Sequence, residues 1–267
     1  MNKKTILVTG AASGIGWETA VLFAKNGWYV GAFDVNEDGL NSLEAKIGAE
    51  NCYIGYMDVA DAASVERGVE AFAGKTGGKL NILLNNAGIL AFGLFEKVDI
   101  LVHHKIVDIN FKGCLNCIYY CLPYLKRTEG AGIINMSSLS AVYGMPELSV
   151  YSATKDAMGA MSEALDLELE PHGIRVCNIR PPYVTTPMLH GADNVKSMKS
   201  LKALFGKVGP EKVAKTVWKA AHRNKLNWNI GITGLLYFLM WLTPFAKRIS
   251  TKLLVMPKIS EHNLPKN

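Results

Sequence analysis

The sequence predicts an α/β domain on a doubly wound, mostly parallel sheet of about seven strands, with helices covering both faces. Three observations predict it. Short apolar runs alternate with stretches of helical length along most of the 267 residues. Each apolar run ends in small or polar residues, as strands do when their carboxyl ends line a ligand crevice. The first run passes through a glycine-rich turn into an amphipathic stretch, which is the strand–turn–helix context a phosphate-binding motif requires. Residues 1–267 are read as a single domain, with 188–225 forming a substrate lid and the helix after it. Residues 226–267 are read as a last strand plus an apolar and basic extension.

Lys4 to Val8 is the first strand, Thr9-Gly10-Ala11-Ala12-Ser13-Gly14-Ile15-Gly16 the turn, and Trp17 to Asn26 the helix. Gly10 suits the tight turn, while Gly14 and Gly16 let the backbone approach a pyrophosphate and let helix pack on strand. The helix N-terminus offers N–H groups and a favourable dipole to an anion; the alternative is a glycine turn without a ligand. Tyr29 to Phe33 reads as the next strand, and Asp34 ends it eighteen residues after Gly16. A carboxylate there accepts both hydroxyls of an adenosine ribose and repels a 2′-phosphate. Ala12, Ser13 and Val35 offer no cation, so the pattern points to NAD rather than NADP. The alternative for Asp34 is a cap on the helix starting near Glu37. Cys52 to Met57 then leads into Asp58-Val59, Leu80 to Leu84 into Asn85-Asn86-Ala87-Gly88, and Gly132 to Met136 into Ser137-Ser138. Helices are expected over Ala62 to Phe72, Val98 to Leu122 and Tyr151 to Glu170.

Tyr151 and Lys155 stand four apart on one helix face, thirteen residues or more after Ser138. A phenol ordinarily titrates near ~10 and is a poor base at neutral pH. A neighbouring ammonium favours the phenolate and makes proton exchange with an alcohol feasible. By itself this pairing is unspecific, since many helices carry such pairs on their surface.

Taken together, Thr9-Gly10-x-x-x-Gly14-x-Gly16, Asp58, Asn85-Asn86-Ala87-Gly88, Asn110, Ser138, Tyr151-x-x-x-Lys155 and Asn178 followed by Pro181 resemble the short-chain dehydrogenase/reductase family, from about Lys4 to at least Thr233. The resemblance implies a Rossmann fold and a set of roles. Tyr151 would be the general acid/base. Lys155 would bind the nicotinamide ribose and lower the tyrosine's pKa, and Ser138 would orient the substrate oxygen. Asn110 would interrupt regular helical bonding and hold a water linked to Lys155. NAD would be contacted by Gly10, Ser13, Gly14, Ile15, Gly16, Asp34, Asp58, Val59, Asn86, Ala87 and Gly88. Tyr151, Lys155, Pro181, Val184 and Thr186 would complete that set. One departure stands out: Pro181-Pro182 replaces the family's usual Pro-Gly, fixing φ and removing an N–H donor where nicotinamide contacts begin.

Substrate-side positions would be Leu90, Phe92, Leu139, Met145, Leu148, Met188 and Phe205. This apolar lining suits a hydroxysteroid, a retinoid or a long-chain secondary alcohol or ketone. Two alternatives remain: a biosynthetic ketoreductase acting on acyl thioesters, and an NAD-binding scaffold or membrane adaptor with little turnover. The family resemblance further implies a homodimer or homotetramer.

Nearly half of the residues are apolar, and no secretory signal precedes the first strand. Five cysteines without framework spacing suit a reducing compartment and a cytoplasmic location. Cys114, Cys117 and Cys121 read as one buried helix face, no metal site is expected, and His103 and His104 read as helix-surface residues. The net charge of +6 comes from residues after His190. Basic residues there are spread out and belong to no nucleic-acid-binding module. Leu226 to Ala246 carries no charge. It is read as a last strand to Thr233 with a packed helix, as an interfacial segment flanked by Lys247, Arg248, Lys252 and Lys258, or as a spanning helix broken by Pro244.

Overall fold

The computed structural model describes residues 3–189, 207–243 and 249. The strands are β1 (Thr5–Thr9), β2 (Tyr29–Asp34), β3 (Cys52–Tyr56), β4 (Ile82–Asn85), β5 (Gly132–Met136), β6 (Arg175–Arg180) and β7 (Asn227–Asn229). They form one sheet in the order β3-β2-β1-β4-β5-β6-β7, every pairing parallel. The strand order reverses between β1 and β4, which opens a crevice at their carboxyl ends. The helices are α1 (Gly14–Lys25), α2 (Glu37–Ile47), α3 (Ala62–Thr76), α4 (Ile100–Val107), α5 (Gly113–Lys126), α6 (Ser149–Leu169), α7 (Pro210–Ala221) and α8 (Thr233–Leu242).

The central strands β1, β2, β4 and β5 are almost wholly buried because both faces of the sheet are covered. Side chains alternate between two cores. Ile6, Val8, Ile82, Leu84 and Ile134 point to the side where Phe23 and Val217 pack; Leu7, Leu83 and Ile133 point to the side of Phe33, Phe72 and Cys117. On the first side, α1 and α7 meet through edge contacts of Phe23 with Trp28 (5.0 Å) and Trp218 (4.9 Å). The three helix cysteines are buried, and burial pushes all three thiols up; among the described residues no cluster could hold a metal.

The interruption expected at Asn110 is present, and two features depart from the expected elements. The Val98–Leu122 stretch is divided: a π-helical turn, Asp108–Lys112, separates α4 from α5 and carries Asn110. β7 ends at Asn229, because Gly231 turns the chain at φ 63 and Thr233 begins α8. His103 is not on the surface: it is buried, its ring stacks on Phe95 at 4.7 Å, and its Nε2 lies 3.0 Å from the Phe95 carbonyl oxygen. The 3₁₀ turn Phe95–Lys97 folds over that helix face and covers it. Among the described residues no helix is long and apolar enough to cross a membrane. The segments 190–206, 244–248 and 250–267, with Phe205, Pro244 and the basic residues after it, lie outside the described residues.

A buried chain of amides fixes α6 to the sheet. Asn85 Nδ2 donates to Asn135 Oδ1 (2.8 Å), Asn135 Nδ2 to Ser162 Oγ (2.9 Å), and Ser162 Oγ to the Met158 carbonyl (2.6 Å). Replacing one member leaves its neighbours desolvated and unpaired, at about 1–3 kcal/mol each. Asn135→Leu is therefore expected to lower unfolding free energy by about 2–5 kcal/mol in urea titration; a loss below about 1 kcal/mol would contradict this role.

Candidate active site

The glycine turn is stapled to the end of β4. Thr9 Oγ1 accepts from the N–H groups of Asn86 and Ala87, both at 3.1 Å, and Asn86 Nδ2 donates to the carbonyls of Thr9 (3.0 Å) and Gly10 (3.1 Å). Gly10 turns at φ +68, and a Cβ on Gly16 would overlap the Gly10 carbonyl oxygen. Both positions therefore exclude side chains and keep bare backbone facing the crevice. Ser13 caps α1 in an extended conformation, and its hydroxyl makes no capping bond.

Asp34 closes the other side of this turn. Its Oδ2 accepts from Ala12 N (3.0 Å) and its Oδ1 from Asn36 N (3.0 Å). The cap of α2 is Asn36, which accepts from Gly39 N. The carboxylate thus holds the glycine turn rather than capping the helix. Asp58 is fixed similarly, accepting from Ala60 N at 2.9 Å. Backbone N–H groups at the α1 terminus, excluded side chains and an anchored carboxylate at the end of β2 fit a dinucleotide.

α6 brings Tyr151 and Lys155 under the end of β5. The Ser138 side chain acts on the Tyr151 hydroxyl and favours its ionised form. Burial is the larger influence and raises the phenol's pKa, and Ser138 only partly offsets it. The expected depression by Lys155 is absent in the cofactor-free site because the lysine, at about 8, loses its own charge before the phenol ionises. Lys155 is 4% exposed, lies 5.7 Å from the Tyr151 ring centre and donates to the Met136 carbonyl at 2.8 Å. Burial pushes its pKa down to about 8, with Cys114 weakly opposing. Ser137, the other serine of the pair, donates to the Lys155 carbonyl at 2.7 Å and so holds the helix. Asn110 is buried, with Oδ1 accepting from Ile89 N (2.8 Å) and Nδ2 donating to Ile89 O (2.9 Å). A Cβ on Gly88 would lie 3.1 Å from Asn110 Oδ1 and 3.5 Å from Lys155 Nζ, so the three converge.

A cavity of about 590 Å³ joins these groups. Gly10, Ser13, Gly14, Ile15, Asp34, Asp58, Val59, Asn86, Ala87 and Gly88 line one end, and Ser138, Tyr151 and Lys155 the middle. Pro181, Val184 and Thr186 adjoin them, as does Pro182. Leu90, Phe92, Leu139, Met145, Leu148 and Met188 line the other end. Gly16 and Asn110 stand behind the wall, and Phe205 lies outside the described residues. Sequence reasoning missed Tyr143, Tyr183 and, above all, Leu236 and Met240 of α8. The four-residue spacing of the last two was the available signal. Among the described lining residues the charged side chains are Asp34, Asp58 and Lys155.

A family profile described as short chain dehydrogenase matches residues 4–196. The chain is 32% identical over 222 residues to a 3-oxoacyl-(acyl-carrier-protein) reductase of Thermotoga maritima, covering 80% of this chain and 88% of that protein. It is 30% identical over 220 residues to a cyclohexanol dehydrogenase of an Acinetobacter species, covering 81% and 86%. Among solved structures, a 3-ketoacyl-(acyl-carrier-protein) reductase from Brucella melitensis complexed with NADH superposes with a TM-score of 0.76 at 29% identity, covering 85% of this chain and 96% of that one.

Folded Lys155 binds its proton less tightly than the unfolded chain does. The resulting loss of stability is full below pH about 8 and disappears as pH rises towards an ordinary lysine value. Lys155→Met is expected to raise the Tm of the cofactor-free protein at pH 7 by a few degrees, about 1–2 kcal/mol after loss of the Met136 hydrogen bond. The gain should vanish near pH 10. Calorimetry across that range checks it, and a lower Tm at pH 7 would refute it.

Proposed function

The chain belongs to the short-chain dehydrogenase/reductase family, and from that premise we propose that it moves hydride between NAD and a lipophilic secondary alcohol or ketone, such as a hydroxysteroid, a retinoid or a long-chain alcohol. As a member it is an oxidoreductase acting on CH–OH groups with a nicotinamide cofactor. The observation that carries the finer reading is a Ser138–Tyr151–Lys155 cluster opening on an apolar cavity whose described lining contains no cation besides Lys155. Among the described lining residues none besides Lys155 is a cation that would anchor a phosphate or carboxylate on the substrate or receive a cofactor 2′-phosphate. Asp34 adds repulsion against such a phosphate, which supports NAD.

The nicotinamide supplies or accepts the hydride. The protein's own residues handle binding and the proton. Ser138 Oγ, which lines the cavity beside Tyr151, would take the substrate oxygen into one network with the Tyr151 hydroxyl. In oxidation Tyr151 Oη receives the alcohol proton; in reduction it returns one. Charged Lys155 favours the phenolate against the burial that opposes it. Asn110 holds the Ile89 backbone and, through it, the loop that carries Leu90 and Phe92.

A reductase acting on 3-oxoacyl thioesters is the second reading, favoured by the names of two of the similar proteins. Asp34 weighs against it, because reductive biosynthesis draws mainly on NADPH. A scaffold without turnover would have no use for an intact Ser138–Tyr151–Lys155 cluster. Family members are typically oligomeric, and we assign the exposed apolar side chains Leu101, Tyr119 and Leu167 of α4–α6 to subunit pairing in a homodimer or homotetramer. A cytoplasmic location with peripheral membrane contact suits the proposed substrates.

NADH formation by the purified protein, with detergent, across hydroxysteroids, retinol and long-chain secondary alcohols tests the reading. Tyr151→Phe should lower kcat about 10²–10⁴-fold with NADH affinity nearly unchanged. NADP in place of NAD should cost about tenfold or more in kcat/KM. Turnover by Tyr151→Phe equal to wild type would remove the proton-transfer role. NADH binding with no turnover of any lipophilic alcohol would turn the assignment to thioesters.

A further inference from the structure

We propose that α8 is a two-faced helix that docks the protein on an anionic lipid surface while its other side forms a wall of the substrate cavity, so that lipophilic substrate passes between bilayer and site alongside it. The passage of substrate rests on the lipophilic reading above; the docking does not. α8 reads Thr-Gly-Leu-Leu-Tyr-Phe-Leu-Met-Trp-Leu and carries no charge. Its inner side is fixed: Thr233 is fully buried, Tyr237 lies beneath the Arg180 guanidinium at 4.6 Å, and Leu236 and Met240 reach the cavity.

Its outer side is equally apolar. Leu235, Phe238, Leu239 and Leu242 follow i, i+3, i+4, i+7 spacing and are 57%, 55%, 45% and 57% exposed, with Trp241 beside them at 68%. A surface helix ordinarily turns polar residues to water. α7 does so, exposing Glu211, Lys212, Lys215 and Lys219 and burying Val213 and Val217. Ten residues rise about 15 Å, half a hydrocarbon core, so α8 can lie in an interface but cannot span one. Leucine, phenylalanine and tryptophan are the side chains that enter the boundary between headgroups and acyl chains.

Charge decides the occupant. After α8 the sequence carries Lys247, Arg248, Lys252, Lys258 and Lys266 against Glu261 alone. Such a run attracts phosphatidylserine-type headgroups. Two copies of this chain each carry a net charge of +6, which opposes self-pairing through α8 and favours an anionic surface.

Flotation of the full chain with phosphatidylcholine vesicles, with and without phosphatidylserine, tests the proposal. Wild type is expected to float with the anionic vesicles at least tenfold more than Phe238→Glu/Trp241→Glu. That pair should keep wild-type NADH affinity and sedimentation. It should lose at least fivefold in kcat/KM for a long-chain secondary alcohol presented in vesicles, and less than twofold for a short water-soluble one. A second variant, Trp241→Phe, keeps the apolar face; it should float like wild type but show less quenching by brominated lipid. Wild type left in the buffer with either vesicle, or the glutamate pair floating like wild type, overturns the docking. A smaller species in sedimentation of the glutamate pair also overturns it and gives the face to a second copy. Vesicle binding without lipophilic turnover upholds the docking and removes the substrate reading instead.

Discussion

The buried ammonium of Lys155 is the constraint around which the site is arranged. Among the described residues no carboxylate reaches it, and its partners are the Met136 carbonyl at 2.8 Å, the Met158 sulfur at 3.8 Å and the Tyr151 ring. A desolvated charge so poorly paired costs stability unless it is neutralised or given a partner. Its pKa of about 8 expresses that cost. That cost matches the proposed function, in which a cation beside Tyr151 would help a buried phenol exchange a proton near neutral pH. The surrounding structure holds the lysine in place. The Asn85–Asn135–Ser162 chain ties α6 to β4 and β5, Ser137 grips the Lys155 carbonyl, and the π turn at Asn110 brings an amide alongside.

The cofactor end relies on the opposite device, which is the removal of side chains. At the reversal between β1 and β4, Thr9 and Asn86 exchange four hydrogen bonds with the glycine turn and the start of the following loop. This draws backbone so close that Gly16 admits no Cβ. Asp34 then fixes the turn from the side through Ala12 N. Bare backbone at one end and a desolvated acid–base pair in the middle are set by two different strand ends of one sheet. Their spacing is therefore as rigid as the sheet itself.

What was legible in the sequence follows from this. Strand and helix order, the glycine turn, Asp34 and the Tyr151–Lys155 pair are local patterns that neighbouring residues impose, and the structure gathers them in one cavity. The interruption at Asn110 was legible through the family pattern. The direction of the Tyr151 shift was not, because it depends on how much water the fold removes, and sequence spacing reports neighbours rather than solvent. His103 was misread for the same reason: a turn some eight residues upstream covers it. Leu236 and Met240 were hidden inside an apolar stretch. When every position is apolar, hydrophobicity does not tell which face turns inward.

That last ambiguity is resolved by a second buried cation. Arg180, at the end of β6 and 5% exposed, lies 4.6 Å from the ring of Tyr237, and Asn178, with its amide assigned so that the oxygen faces the guanidinium, accepts from Nε (3.2 Å) and Nη2 (3.3 Å). As with Lys155, no carboxylate among the described residues pairs it. A desolvated guanidinium over an aromatic face binds more strongly than one in water, and it orients the ring it covers. It thereby selects Tyr237, and with it Leu236 and Met240, as the inner side of α8, leaving Leu235, Phe238 and Trp241 to face outward. Two of the helices that border the cavity, α6 and α8, thus each bring a tyrosine ring against a buried cation. Lys155 lies by Tyr151, and Arg180 lies by Tyr237, where a helix without charge is held with its two polar side chains, Thr233 and Tyr237, turned inward.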